Sequence, residues 1–162
     1  MALGSQAALL FLPLVAPICV WVAWSDMATM KIPNLAVLAL VAVFLVVGPF
    51  ALPLDLWAMG WLQLAGVLLV GFVLNLRGAL GAGDAKFAAA AAPFVAAGDV
   101  GKVMMLLASV LLAAFATHRL ARAVPLVRQI SGHWQSWSRN DFPMGLALGG
   151  TLLLYLALAV AG

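Results

Sequence analysis

The sequence predicts an all-α polytopic integral membrane protein with about six transmembrane helices. Residues 1–162 are interpreted as one membrane-embedded domain with no separate soluble domain. Of the 162 residues, 67% are hydrophobic and only 8% are charged, whereas soluble domains carry about 25% charged residues. A membrane-crossing helix needs about 20 apolar residues. The chain has uncharged runs at residues 1–25, 32–54, 56–76, 87–98, 103–118 and 142–162.

Proline, glycine and charged residues divide these runs into helices. The first run has no basic residue before Lys31, so it is interpreted as a true helix rather than a signal peptide. Pro33 and Asn34 then interrupt the chain, Pro53 follows, and glycines mark the later connections. The fourth helix is short and alanine-rich, which favours close packing among other helices. The predicted helices lie near 6–24, 35–51, 56–75, 84–97, 102–120 and 143–161.

Basic residues concentrate on alternate connections and predict the orientation. One side carries seven of the eight: Lys31, Arg77, Lys86, Arg119, Arg122, Arg128 and Arg139. The opposite side has only Lys102. The positive-inside rule places the basic side in the cytoplasm. Both termini would then be periplasmic in a bacterial inner membrane, and the same bias favours a fourth helix that crosses.

The connection over 121–142 has apolar residues at steps of three or four. They are Leu120, Val124, Val127, Ile130, Trp134 and Trp137. This spacing predicts an amphipathic segment at the membrane surface, in contact with membrane lipids. The alternative is an arm that contacts a substrate.

The composition also limits ligands and partners. Cys19 is the only cysteine, so no Cys-x-x-Cys metal site exists, and the paired-carboxylate chemistry considered below needs no metal and no cofactor. No clustered basic face indicates nucleic-acid binding. Nothing in the sequence defines the oligomeric state.

All five acidic residues are aspartates: Asp26, Asp55, Asp84, Asp99 and Asp141. Asp55, Asp99 and Asp141 are expected to be solvated turn or capping residues. Asp26 and Asp84 instead lie where apolar helices meet the basic side, so ionisable groups there suggest a function. They could form a working pair or be two separate helix caps, and the spacing leaves both possibilities open.

A paired arrangement would have defined chemistry. Two adjacent carboxyl groups share one proton. The ionised group can take a proton from water while the protonated group hydrogen-bonds a scissile carbonyl. No histidine in the sequence is close to Ser25, and His118 and His133 are expected at the membrane surface rather than in catalysis.

The residues around Asp84 suggest how a substrate could approach. Gly81 and Gly83 lack Cβ atoms, so we expect positive φ values and close approach of a substrate backbone. Lys86 does not share the helix face of Asp84. It could extend to lipid headgroups or hold a negative group on a substrate.

Three sequence blocks resemble the type IV prepilin peptidases, the A24 family of GxGD aspartic proteases. "GAGDAK" at 81–86 matches the G-x-G-D-x-K signature, and "DMATMKIPN" at 26–34 matches the block in which Asp precedes Ile-Pro-Asn. "FPMG" at 142–145 resembles the Pro-x-Gly start of the final helix. With no cysteine-rich segment, the chain resembles the short form of the family, which is associated with tight-adherence (Flp/Tad) pili.

The resemblance implies a GxGD intramembrane aspartic protease fold with Asp26 and Asp84 as the catalytic pair. Such enzymes cleave the basic leader of prepilins and pseudopilins after a Gly, at the cytoplasmic membrane face. The pilin helix that follows carries a Glu, a candidate partner for Lys86. The short form implies no zinc and no methyltransferase activity.

Two alternatives make different predictions. A small proton-coupled transporter or channel would place its acids near the bilayer midplane. A structural membrane subunit would keep Asp26 and Asp84 far apart and separately exposed to water.

Overall fold

The computed structural model describes residues 1–139 and 141–162, apart from the side chain of Arg128. In this part of the chain the secondary structure is helical. The α-helices are α1 (Ser5–Thr29), α2 (Asn34–Ala51), α3 (Leu54–Leu76), α4 (Ala82–Ala91), α5 (Val100–Ala123), α6 (Pro125–Ile130) and α7 (Met144–Ala161). Among the described residues, α1, α2, α3, α5 and α7 are long and apolar enough to cross a membrane. The predicted all-α polytopic class is therefore confirmed.

The first helix continues beyond its predicted end near residue 24. α1 ends at Thr29 because Met30 adopts a left-handed conformation with φ of 55°, and the Met30 N–H donates to the Asp26 carbonyl at 2.8 Å. A left-handed residue is a common way for a helix to end. Asp26 consequently lies in the last turn of α1, on a regular helix rather than in a loop.

The fourth helix is shorter than predicted. α4 ends at Ala91, and 3₁₀ turns at Ala92–Phe94 and Ala97–Asp99 connect it to α5. Pro93 has no backbone N–H to continue the α-helical hydrogen bonds. The prediction of one helix over 84–97 is therefore wrong beyond Ala91.

Small residues bring α4 close to α3, as its alanine content predicted. A Cβ atom added to Gly71 of α3 would lie 2.9 Å from the Cβ of Ala85. Ala85, Ala89 and Ala90 of α4 are buried, as is Phe87. The short helix is thus held inside the bundle by close backbone approach.

An aromatic cluster fixes the chain after α4. Phe94 packs edge-on against Phe11 of α1 and Phe44 of α2, with ring centroids 5.0 Å and 5.5 Å away. All three side chains are fully buried. Such edge-to-face pairs add to the stabilisation that burial provides, so the cluster holds α1, α2 and the 3₁₀ turn together.

Asp99 is fully buried and contacts three parts of the chain: the residues before α1, α5 and α7. Its carboxylate accepts hydrogen bonds from Ala2 N at 2.5 Å, Leu3 N at 3.1 Å and the Tyr155 hydroxyl at 3.0 Å. Lys102 Nζ lies 2.9 Å from the other oxygen. The expectation of a solvated turn residue is wrong, because these groups replace water around the carboxylate.

Residues 82–99 therefore connect the two ends of α1. The start of α4 lies beside the C-terminal end of α1, where a Cβ on Gly83 would be 3.4 Å from Ile32. Asp99 contacts the residues that precede the N-terminal end of α1. A helix of 25 residues is roughly 37 Å long, so this segment runs the length of the bundle despite its short α-helix.

α7 packs directly against α1 through two glycines spaced four residues apart. A Cβ on Gly149 would lie 2.9 Å from the Cys19 carbonyl oxygen, and a Cβ on Gly145 would lie 2.8 Å from the Asp26 Cβ. Small residues at this spacing let membrane helices approach closely. The α1–α7 contact thereby reaches the turn that carries Asp26.

The connection predicted as a membrane-surface segment folds back onto the bundle in part. α6 is followed by a 3₁₀ turn at Gln135–Trp137. Trp134 packs edge-on against Trp24 at 5.0 Å, and Trp137 is buried against His118 at 4.9 Å. Trp137 is therefore a packing residue rather than a lipid anchor. Asn140 and the side chain of Arg128, both in this predicted segment, lie outside the described part.

Replacing the buried carboxylate with an amide tests the role of Asp99. In Asp99→Asn the charge that faces Lys102 is lost and an NH₂ group can oppose the Ala2 and Leu3 N–H donors. We expect the free energy of unfolding to fall by about 1–3 kcal/mol, measured by thermal unfolding in detergent with circular dichroism. The control Asp55→Asn changes an exposed residue in the first turn of α3 and should match the wild type. Equal unfolding midpoints for Asp99→Asn and the wild type would contradict this role.

Candidate active site

Asp26 and Asp84 line the same cavity, which has a volume of about 490 Å³ at one end of the bundle. They come from the last turn of α1 and the first turn of α4. The structure thus brings together two residues 58 positions apart in the sequence. The structural-subunit alternative predicted carboxyl groups that are far apart and separately exposed to water, and the shared cavity disfavours it.

The Asp26 carboxylate is held by the backbone of α7. Only 6% of the residue is exposed, and its Oδ2 atom accepts a hydrogen bond from Gly145 N at 2.6 Å. Gly145 lies in the first turn of α7, where backbone N–H groups have no partner within the helix. This contact fixes one Asp26 oxygen and supplies a donor that stabilises its ionised form.

Asp84 lies outside the five membrane-length helices and is half-buried. Burial and the nearby Asp26 charge raise the pKa of the Asp84 carboxyl group to about 6, and the backbone N–H of Gly81 opposes part of the rise. The protonation of Asp84 therefore depends in part on the charge of Asp26. One proton can be shared between them at mildly acidic pH.

The glycines before Asp84 do not adopt the expected backbone conformation. Gly81 has φ of −65°, and among the described glycines only Gly78 has a positive φ, of 71°. A Cβ on Gly81 would lie 2.5 Å from Asp84 Oδ2. Gly81 therefore leaves space for the Asp84 carboxylate itself, whereas a Cβ on Gly83 would make an ordinary contact with Ile32 at 3.4 Å.

Lys86 lines the cavity but does not form an ion pair with Asp84 in the described structure. Its Nζ atom donates to Asn34 Oδ1 at 3.2 Å. Asn34 is the last residue of the "DMATMKIPN" block. This contact joins the two sequence blocks at the cavity and gives the ammonium group an uncharged partner.

The sequence does not indicate the contributions of Gly145 and Asp141 to this cavity. Gly145 belongs to "FPMG", and nothing in that motif points to a contact with a residue 119 positions away. Asp141 was expected to be a solvated turn or capping residue. It is exposed and pairs with Arg139 at 3.1 Å, but both residues line the cavity, and no side chain caps α7.

The histidines lie outside this cavity. His118 was expected at the membrane surface, but it is buried in α5 against Trp137. In residues 1–139 and 141–162, no group of three or more His, Cys, Asp or Glu side chains is placed to hold a metal ion.

Comparison with known proteins gives one family. The sequence model of the type IV leader peptidase family matches residues 13–118, which is more than half of the chain and includes Asp26 and Asp84. The matched region ends before Gly145. No curated protein and no solved structure matches the chain.

Proposed function

Because the chain belongs to the type IV leader peptidase family, we propose that it is an aspartic endopeptidase that removes the leaders of type IV prepilins and pseudopilins. Asp26 and Asp84 are the proposed catalytic residues. The observation that carries this proposal is that these two carboxyl groups, both within the matched region, line one cavity. The resemblance to the short form favours Flp/Tad-type substrates, with cleavage after Gly.

The proposed reaction uses the two carboxyl groups differently. Asp26 acts as the base, since the Gly145 N–H stabilises its negative charge. Asp84 carries the shared proton, since its pKa is raised to about 6. A substrate that covers the cavity would exclude water and raise that pKa further.

In the first step, a water molecule between the carboxylates attacks the scissile carbonyl carbon. Its proton passes to Asp26, and the Asp84 proton stabilises the oxygen that becomes negative. In the second step, the carbon–nitrogen bond breaks, and the leaving amine takes the proton from Asp26. The pair returns to its starting state with one proton.

The charge distribution supports a cytoplasmic site in the inner membrane. Seven of the eight basic residues lie in the helix ends and connections of the side that carries Asp26 and Asp84, and Lys102 is beside Asp99 at the other end. This bias favours a cytoplasmic location for the catalytic end. A prepilin leader would then reach the site from the compartment where it is made.

The transporter alternative has less support. A proton-coupled transporter places its acids midway along broken helices. Asp26 is in the last turn of α1 and Asp84 is in the first turn of α4. Both positions suit a substrate bond at the membrane surface better than an ion path through the bilayer.

Removing either ionisable group tests the proposed catalysis. In Asp26→Asn and in Asp84→Asn, the asparagine side chain keeps the size of the aspartate, but its amide cannot share a proton with the remaining carboxyl group. Each should lower the cleavage rate of a leader-bearing prepilin in lipid nanodiscs by about 10²–10⁴-fold, measured by mass spectrometry of the released leader. Asp55→Asn, which changes an exposed aspartate in α3, should cleave at the wild-type rate. Full activity in either active-site variant, purified and folded, would rule out the assignment.

The raised Asp84 pKa predicts a fall in activity on the alkaline side. Below pH about 6, the pair retains its shared proton. As pH rises through this value the second carboxyl group ionises, so kcat/KM should fall about tenfold per pH unit. The check is single-turnover cleavage from pH 5 to 9, with Asp141→Asn expected to keep the same profile shape. A flat wild-type profile over this range would contradict the shared-proton mechanism.

Adding one methyl group to α7 tests the Gly145 contact. In Gly145→Ala the new Cβ would lie 2.8 Å from Asp26 Cβ and 3.0 Å from Oδ2, so the carboxylate must move. Displacement of a catalytic group by about 1 Å can cost about 100-fold in rate, and we expect a loss of that order in kcat. In the control Gly150→Ala, the new Cβ meets only Val110 Cγ1 at 3.4 Å. If the two variants cleave equally well, Gly145 does not position Asp26.

A further inference from the structure

A second polar cavity lies beside the candidate active site. It has a volume of about 170 Å³ and is lined by Arg119 and Arg122 of α5, together with Arg139. His118 and Asp141 also line it. Arg139 and Asp141 form part of both cavities. The proposed peptidase chemistry uses none of the three arginines.

Aromatic packing places the arginines around this space. Phe115 and Arg119, four residues apart on α5, lie on one helix face, with the Arg119 guanidinium 5.1 Å from the Phe115 ring centroid. Phe142, which precedes α7, packs against Phe115 at 5.9 Å and against His118 at 6.0 Å. Arg139 lines the same cavity as these residues.

The cavity carries uncompensated positive charge. Three arginines face a single acidic residue, Asp141, which pairs with Arg139. Within the described residues, Arg119 and Arg122 form no ion pair. Like charges gathered at the edge of a low-dielectric bundle repel one another unless an anion lies between them.

The buried histidine is a second sign of a missing partner. His118 is 6% exposed, and its Nε2 atom has no hydrogen-bond partner in the part of the chain that the structure describes. A buried polar atom without a partner is costly. An imidazole N–H in this place can donate to an anionic oxygen.

We infer that this cavity binds a phosphate group, supplied by the headgroup of an anionic phospholipid. The guanidinium fork matches the spacing of phosphate oxygens. Arg119 and Arg122 lie near the end of a membrane-length helix, at the level where basic pockets between helices bind lipid headgroups. A single arginine at a helix end simply extends to the surface. Here three arginines from two segments meet at one cavity beside a buried histidine, which indicates a formed site.

The inference is tested on the purified full-length chain, delipidated in neutral detergent. Phosphatidylglycerol, inorganic phosphate and diacylglycerol are titrated separately, and bound ligand is counted by native mass spectrometry. Wild type should bind phosphatidylglycerol, and Arg119→Gln and Arg122→Gln should each bind it about tenfold more weakly, because one charge-assisted contact is lost. Arg77→Gln is the matched control, since Arg77 is exposed and does not line the cavity.

The ligand series separates the sources of binding. Inorganic phosphate that binds with the same dependence on Arg119 supports the site and assigns it to free phosphate. Diacylglycerol that binds as tightly as phosphatidylglycerol overturns the inference, because the acyl chains alone would then explain binding. Equal losses in Arg77→Gln and Arg119→Gln also overturn it, since general surface charge would then be responsible.

Arg119→Lys covers the case in which Arg119→Gln does not fold. It keeps the positive charge but loses the two-pronged contact with phosphate. Weaker phosphatidylglycerol binding than wild type supports the inferred contact, and unchanged binding overturns it. The unfolding midpoint without lipid identifies any variant whose binding loss comes from misfolding.

Discussion

The close approach of α7 to α1 determines where a carboxylate can lie within this bundle. Gly145 and Gly149 face α1 at positions where a Cβ would come within 3 Å of Asp26 or Cys19. Only without side chains there can the Gly145 N–H reach Asp26 Oδ2 at 2.6 Å. A buried carboxylate without such a donor would be strongly disfavoured. The position of the Asp26 carboxylate therefore depends on Gly145 being a glycine.

The position of Asp84 depends on residues 82–99, a segment that contacts hold in place at both ends. At one end, α4 lies against Gly71 of α3 and the C-terminal end of α1. At the other end, Asp99 binds the backbone before α1 and the Tyr155 hydroxyl of α7. A ten-residue helix has little stability of its own. These contacts give it the fixed position that the proposed catalytic role of Asp84, on its first turn, requires.

Sequence patterns predicted the features that depend on local composition. Uncharged runs predicted the five long helices, and the alanine content predicted the close packing of α4. Their position where apolar helices meet the basic side distinguished Asp26 and Asp84 from the other aspartates. The features that were missed depend on contacts between distant residues. Asp99 looked like a turn residue because Tyr155 and the N-terminal amides that cover it are far away in the sequence. The positive φ expected at Gly81 was wrong because the glycine accommodates Asp84 Oδ2 within the same turn, which the motif alone does not reveal. The helix break at Pro93 could have been predicted, since proline is poorly tolerated inside helices.

Apart from the exposed Asp55, the aspartates with an ion pair differ from those that line the candidate site without one. Asp99 is neutralised by Lys102, and Asp141 by Arg139. Asp26 and Asp84 have no ion pair among the described residues, although Lys31 and Lys86 line the same cavity. Lys86 is held on Asn34 instead. A cation bound to either aspartate would stabilise its ionised form and lower its affinity for a proton. Because no lysine pairs with Asp26 or Asp84, the mutual repulsion of the two carboxylates is left to be relieved by a proton, and the proposed aspartic protease mechanism needs that proton.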